Sequence, residues 1–119
     1  MKFSYYFETL KTGEIFMTFE PNNQISGDSR RIGEWLSIDV RDGDYVLEKV
    51  SKVRDNLSEE ERIWMNGYDV IVRSDLTTIK FNFEEDCPEI KPCTLPTEML
   101  YEILEIWIKA YEEHQNKQN

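Results

Sequence analysis

One histidine, two cysteines, five glycines and four prolines are all that 119 residues hold of the types that most often build metal centres, disulfide frameworks and phosphate loops. Bases are scarce too: 14 Lys and Arg stand against 24 Asp and Glu, a net charge of −10 at pH 7. Such a chain repels phosphate backbones and anionic lipid, which disfavours electrostatically driven nucleic-acid or membrane-surface binding and favours a basic partner. No segment approaches the roughly 18 apolar residues of a membrane span. The N-terminal Met1-Lys2-Phe3-Ser4-Tyr5-Tyr6-Phe7-Glu8 lacks an uninterrupted apolar stretch of signal-peptide length, which predicts a cytoplasmic chain.

The thinly supplied residues exclude most familiar chemistries. No G-x-x-x-x-G-K-[ST], G-x-G-x-x-G, H-E-x-x-H or G-x-S-x-G string occurs, so phosphate cradling and the common hydrolase layouts lose their usual support. The only candidate imidazole base, His114, lies on the polar end of the last predicted helix, where restraint is least. Cys87 and Cys93 are spaced to close a small disulfide loop in an oxidising compartment, and are read as reduced thiols in a cytoplasmic chain. Zinc needs more ligands than two cysteines and a distant histidine. No cofactor is expected.

The 39% hydrophobic and 13% aromatic content suffices for one domain over residues 1–119, with 115–119 as a frayed polar tail. Aromatic residues 3–10, Lys11-Thr12-Gly13 and Glu14–Glu20 read as a β-hairpin, ended by Pro21-Asn22-Asn23. A loop is expected to about Ser29. Ile32, Trp35, Leu36 and Val40 then recur at helical intervals, as do Val46, Leu47, Val50 and Val53, with Glu48 and Lys52 spaced as a pair. Gly43 suits a left-handed end to the first helix, Asp44 a cap for the second, and Asp28 or Ser29 a cap for the first. Asn66-Gly67 predicts a tight hairpin turn between strands, and Leu76–Phe83 alternates as a further strand. Glu84–Pro96, with three prolines, reads as a constrained loop, and Pro96 opens a long helix with apolar positions from Met99 to Ala110. The fold class predicted is α+β: an antiparallel sheet of about five strands, hairpin included, covered by two short helices and a long C-terminal one.

Acid placement carries the functional reading. Glu84, Glu85, Asp86, Glu89, Glu98, Glu102 and Glu105 face only one base, Lys91, between residues 84 and 105. On one flank they would steer a cationic protein surface, with Tyr101 as an aromatic anchor within a charged rim. Asp39, Asp42, Asp44 and Tyr45 form a second candidate patch. The three aspartates also invite a divalent-metal reading, a carboxylate-based hydrolase, although Val40 and Lys49 stand where an EF-hand loop needs oxygen donors.

Three blocks together resemble a known family. They are the aromatic strand ending in Thr12-Gly13, then Arg31-Ile32-Gly33-Glu34-Trp35-Leu36-Ser37-Ile38-Asp39-Val40, then Trp64-Met65-Asn66-Gly67-Tyr68-Asp69-Val70-Ile71-Val72-Arg73. This layout resembles the YacL-like small acidic proteins, and more closely the related immunity proteins of bacterial contact-dependent growth inhibition and other polymorphic toxin systems. Ile25-Ser26-Gly27-Asp28-Ser29 ahead of the helix adds to the likeness. The resemblance implies a cytosolic, non-enzymatic protein that neutralises a cognate toxin domain, often a basic nuclease, by occluding its surface. The YacL-like alternative implies a cytosolic binding module without a toxin partner. The motifs themselves are structural: Gly33 for close helix packing, Trp35 for core, and Asn66-Gly67 for a turn.

Overall fold

The computed structural model describes residues 3–83 and 85–118. The fold is α+β. Strands β1 (Tyr5–Thr9) and β2 (Ile15–Phe19) form an antiparallel two-stranded sheet of their own. Helices α1 (Arg30–Asp39) and α2 (Gly43–Arg54) follow, then β4 (Glu60–Trp64), β5 (Tyr68–Arg73) and β6 (Leu76–Phe81). Strand β7 (Cys93–Pro96) leads straight into α3 (Thr97–Gln118). With the two-residue β3 (Ser26–Gly27), these strands build a five-stranded antiparallel sheet in the order β3-β7-β6-β5-β4.

Five strands in one sheet are therefore present, but not the five expected. The N-terminal hairpin stands apart, and its places are taken by β3 and β7, which lie within segments read as loops. Proline ends β7 rather than opening α3, at the sheet position opposite Leu76. The alternation Cys93 in, Thr94 out, Leu95 in is regular, but only four residues long.

One hydrophobic core joins both sheets and all three helices. Ile63, Val70, Val72, Ile79, Cys93 and Leu95 supply the inner sheet face, and Met99, Leu100, Ile103, Leu104 and Trp107 supply α3. Trp35 and Trp107 are both buried. A large apolar side chain moved from water to such a site contributes about 1.5–3 kcal/mol. Trp107 also satisfies its indole N–H on the Val40 carbonyl at 2.9 Å, which ties α3 to the end of α1.

Gly33 lets α1 lie directly on β2, because a Cβ there would sit 2.3 Å from the Met17 carbonyl oxygen. Gly43 does not end α1 in a left-handed turn. It is the first residue of α2, capped by Asp42 rather than Asp44, and it packs closely on α3, where a Cβ would meet the Ile108 side chain at 2.2 Å. Gly67 likewise has no positive φ. The hairpin closes instead by a Met65 N–H bond to the Tyr68 carbonyl, with Asn82 Nδ2 donating to the Met65 carbonyl. Glu48 and Lys52 pair at 3.9 Å, as their spacing predicts. Of the tail predicted to fray, residues 115–118 are helical and Asn119 lies outside the described residues: α3 runs to Gln118, and His114 Nε2 lies 2.7 Å from the Gly13 carbonyl oxygen.

Candidate protein-binding groove

Hairpin and C-terminal helix meet through rings. Phe7 stacks on Trp107 at 6.5 Å between centroids, and Trp107 on Tyr111 at 5.7 Å. Phe3 continues the row, 5.8 Å from Tyr5 and 6.3 Å from Phe19. The inner face of β2, with Ile15, Met17 and Phe19, is buried, while β1 stays largely exposed. Near Phe3 the row opens to solvent, and an open groove of about 1000 Å³ lies between hairpin and helix.

Its walls combine rings and carboxylates. Phe3, Tyr5, Glu20 and Pro21 come from the hairpin and its exit, and Glu102, Glu105, Ile106 and Lys109 from α3. The helix supplies its acids at positions three residues apart, which face the same side. Three carboxylates and one ammonium thus border an aromatic floor. Such a surface suits Lys and Arg side chains, which lay their stems on rings and their charges on acids.

Of the acids expected to act together, Glu102 and Glu105 are the ones among the described residues that line this groove. Glu98 is exposed but engaged: its carboxylate accepts Arg54 Nε at 3.0 Å, and the Arg54 guanidinium stacks over Tyr101 at 4.2 Å. Tyr101 is half-buried against the core, so its ring already holds an internal cation. Glu84 lies outside the described residues. Glu85, Asp86 and Glu89 are exposed in the loop from β6 to β7, which folds over the outer sheet face. There Glu85 borders a different groove of about 600 Å³ with Ile71, Arg73, Thr78, Lys80 and Lys91. The described acids between 84 and 105 are consequently not gathered on one flank: Glu85 borders the outer sheet face, whereas Glu98, Glu102 and Glu105 lie on the helical side with α3.

The second predicted patch also separates. Asp39 is buried, and its carboxylate accepts the backbone N–H groups of Gly67 and Tyr68, so it supports a turn from within. Burial pushes its carboxyl above the usual carboxylate range, and the two backbone donors pull it part of the way back. Asp42 accepts the Tyr45 N–H at 3.3 Å as the cap of α2, and Asp44 is exposed in the first helical turn. Tyr45 is exposed, with Lys49 Nζ 5.7 Å from its ring centre. Among the described residues no group of three or more His, Cys, Asp or Glu side chains is placed to hold a metal ion. Cys87 and Cys93 are free thiols, and burial pushes the Cys93 thiol up to about 12. No helix among the described residues is long and apolar enough to cross a membrane.

Phe3, Tyr5 and Glu20 were not candidates on sequence grounds. Their residue types were visible, Glu20 as the charged end of a strand beside Pro21, but their proximity to Glu102 depends on the hairpin packing against α3. Comparison of the chain with protein-family models, curated proteins and solved structures finds no match.

Proposed function

We propose that the chain is a cytoplasmic, non-enzymatic immunity protein whose groove between hairpin and α3 takes a basic surface of a toxin domain, in keeping with a nuclease target. The observation that carries this reading is the groove itself: an aromatic floor rimmed by Glu20, Glu102 and Glu105 in a chain of net charge −10. The long-range field speeds the encounter, and the local carboxylates fix the register of the partner's cations. The resemblance of the three sequence blocks to toxin-neutralising immunity proteins supports the choice of partner.

The test uses the basic C-terminal domain of a large secreted protein encoded immediately upstream. Cells producing that domain should grow when this chain is co-produced, and the purified pair should associate at a rate that falls steeply with salt. Glu102→Lys with Glu105→Lys should slow association at least tenfold at low salt while leaving the circular dichroism spectrum unchanged. Arrested growth despite co-production, or equal rates for the variant, would overturn the reading.

A further inference from the structure

The five-stranded sheet has a long open edge at β4, and its hydrogen-bonding phase can be read from its neighbours. Met65 N–H bonds the Tyr68 carbonyl at 3.1 Å, and the ladder below pairs Ile63 with Val70 and Glu61 with Val72. Antiparallel ladders alternate. Residues 61, 63 and 65 therefore spend their backbone groups on β5, and Glu60, Arg62 and Trp64 direct theirs outward. Ser58 Oγ donating to the Glu60 carbonyl at 2.9 Å fits this phase independently. Among the described residues no strand pairs with β4 on its outer side.

Charge usually protects such an edge. Here every charge on β4 is already matched within the molecule. Glu60 accepts Arg73 Nε at 2.9 Å, Glu61 lies 3.8 Å from Lys49 Nζ, and Arg62 forms an ion pair with Asp69. In a chain of net charge −10 this edge is electrically neutral. It also carries Trp64, 75% exposed, with Arg62 5.5 Å from its ring centre. Exposed Trp beside Arg is the composition of an interface centre.

We propose that β4 pairs antiparallel with β4 of a second copy of this chain. A neutral edge favours a copy of itself over the strongly basic partner of the groove. Only registers that set outward residues opposite one another are open to a two-fold pairing. Centring on Arg62 places two guanidinium groups face to face, and centring on Glu61 opposes two carboxylates. Centring on Ile63 does neither: Arg62 of each copy meets Trp64 of the other, twice by symmetry. In that register the outward N–H and C=O groups of Arg62 and Trp64 bond each other across the interface, which joins the sheets into one of ten strands. The α3 groove lies on the helical side and stays open, so this association is independent of toxin binding.

Sedimentation velocity from about 10 μM to about 1 mM, with amide hydrogen exchange on the same samples, tests this. A monomer–dimer equilibrium is expected, strengthened by salt because screening relieves repulsion between two acidic bodies. Arg62 and Trp64 amides should exchange more slowly as concentration rises, whereas the Ile63 amide, already bonded to β5, should not respond. Trp64→Lys should weaken dimerisation at least tenfold with an unchanged melting temperature in dilute solution. A monomer throughout the range overturns the proposal, and so does a dimer that leaves the Arg62 and Trp64 amides unprotected or that Trp64→Lys leaves intact.

Discussion

Asp39, the last residue of α1, holds Gly67 across 28 residues of chain: both carboxylate oxygens lie 3.2 Å from the Gly67 nitrogen, and Oδ2 also takes the Tyr68 N–H at 3.0 Å. Truncation would leave two buried or half-buried donors without their acceptor. A single unsatisfied buried group costs about 1–3 kcal/mol. Asp39→Ala is expected to lower stability by about that much, and Asp39→Asn by less because one acceptor oxygen remains. Urea unfolding at neutral pH measures both, and an unchanged midpoint for Asp39→Ala would show that the turn stands without its carboxylate.

Asp39 and Asp28 should respond to acid in opposite senses. Burial raises the Asp39 carboxyl above 3.8, so the folded chain holds that proton more tightly than the unfolded one. Its favourable contribution is present in acid and is lost as pH rises from 3.8 through the folded value. The Arg30 hydrogen bond, chiefly, holds Asp28 down to about 2, so its contribution is present above 3.8 and is lost as pH falls toward 2. Stability measured across this acid range should therefore fall less steeply for Asp28→Asn than for the parent chain, and more steeply for Asp39→Asn. Parallel curves for all three proteins would contradict the assignment.

The two close-approach glycines should differ in sensitivity. A methyl at Gly33 meets the Met17 carbonyl oxygen and the Phe16 ring, the first being backbone that cannot step aside. A methyl at Gly43 meets only the Ile108 side chain, which can rotate. Overpacking a rigid contact costs about 1–3 kcal/mol, so Gly33→Ala should destabilise the chain by that order. Gly43→Ala should lose less, since alanine also restricts the unfolded chain. Thermal unfolding ranks them, and the reverse order would mean that α1 shifts on β2 more readily than Ile108 turns.

Much of the architecture was legible because it depends on local periodicity. The apolar stripe from Met99 to Trp107 and the alternation of Ile79 and Phe81 each define a buried face without reference to the rest of the chain. Strand β7 was not legible: Cys93–Pro96 is short, lies between prolines, and becomes a strand only when Thr78 and Ile79 offer it partners. The division of the acids was hidden for the same reason. Glu85 and Glu102 are 17 residues apart, yet β7 takes the chain through the sheet between them. Half of the groove was legible, namely Glu102 and Glu105 on a helix face. The other half, Phe3, Tyr5 and Glu20, is brought there by the ring contacts of the hairpin, a tertiary event that no spacing announces.

That division makes total charge and local charge separable in one experiment. Reversing Glu85, Asp86 and Glu89 to Lys takes the net charge from −10 to −4, each reversal adding two, while reversing Glu102 and Glu105 takes it only to −6. If a uniform field governed binding of a basic toxin domain, the triple variant would be the weaker binder. If the groove is the contact surface, the triple variant loses association rate through weakened steering but keeps its dissociation rate. The double variant, besides its slower association, should dissociate at least tenfold faster, because each partner cation seated on the aromatic floor would then face an ammonium group. Surface plasmon resonance at two salt concentrations resolves both rates, and faster dissociation for the loop variant alone would move the contact surface to the outer sheet face.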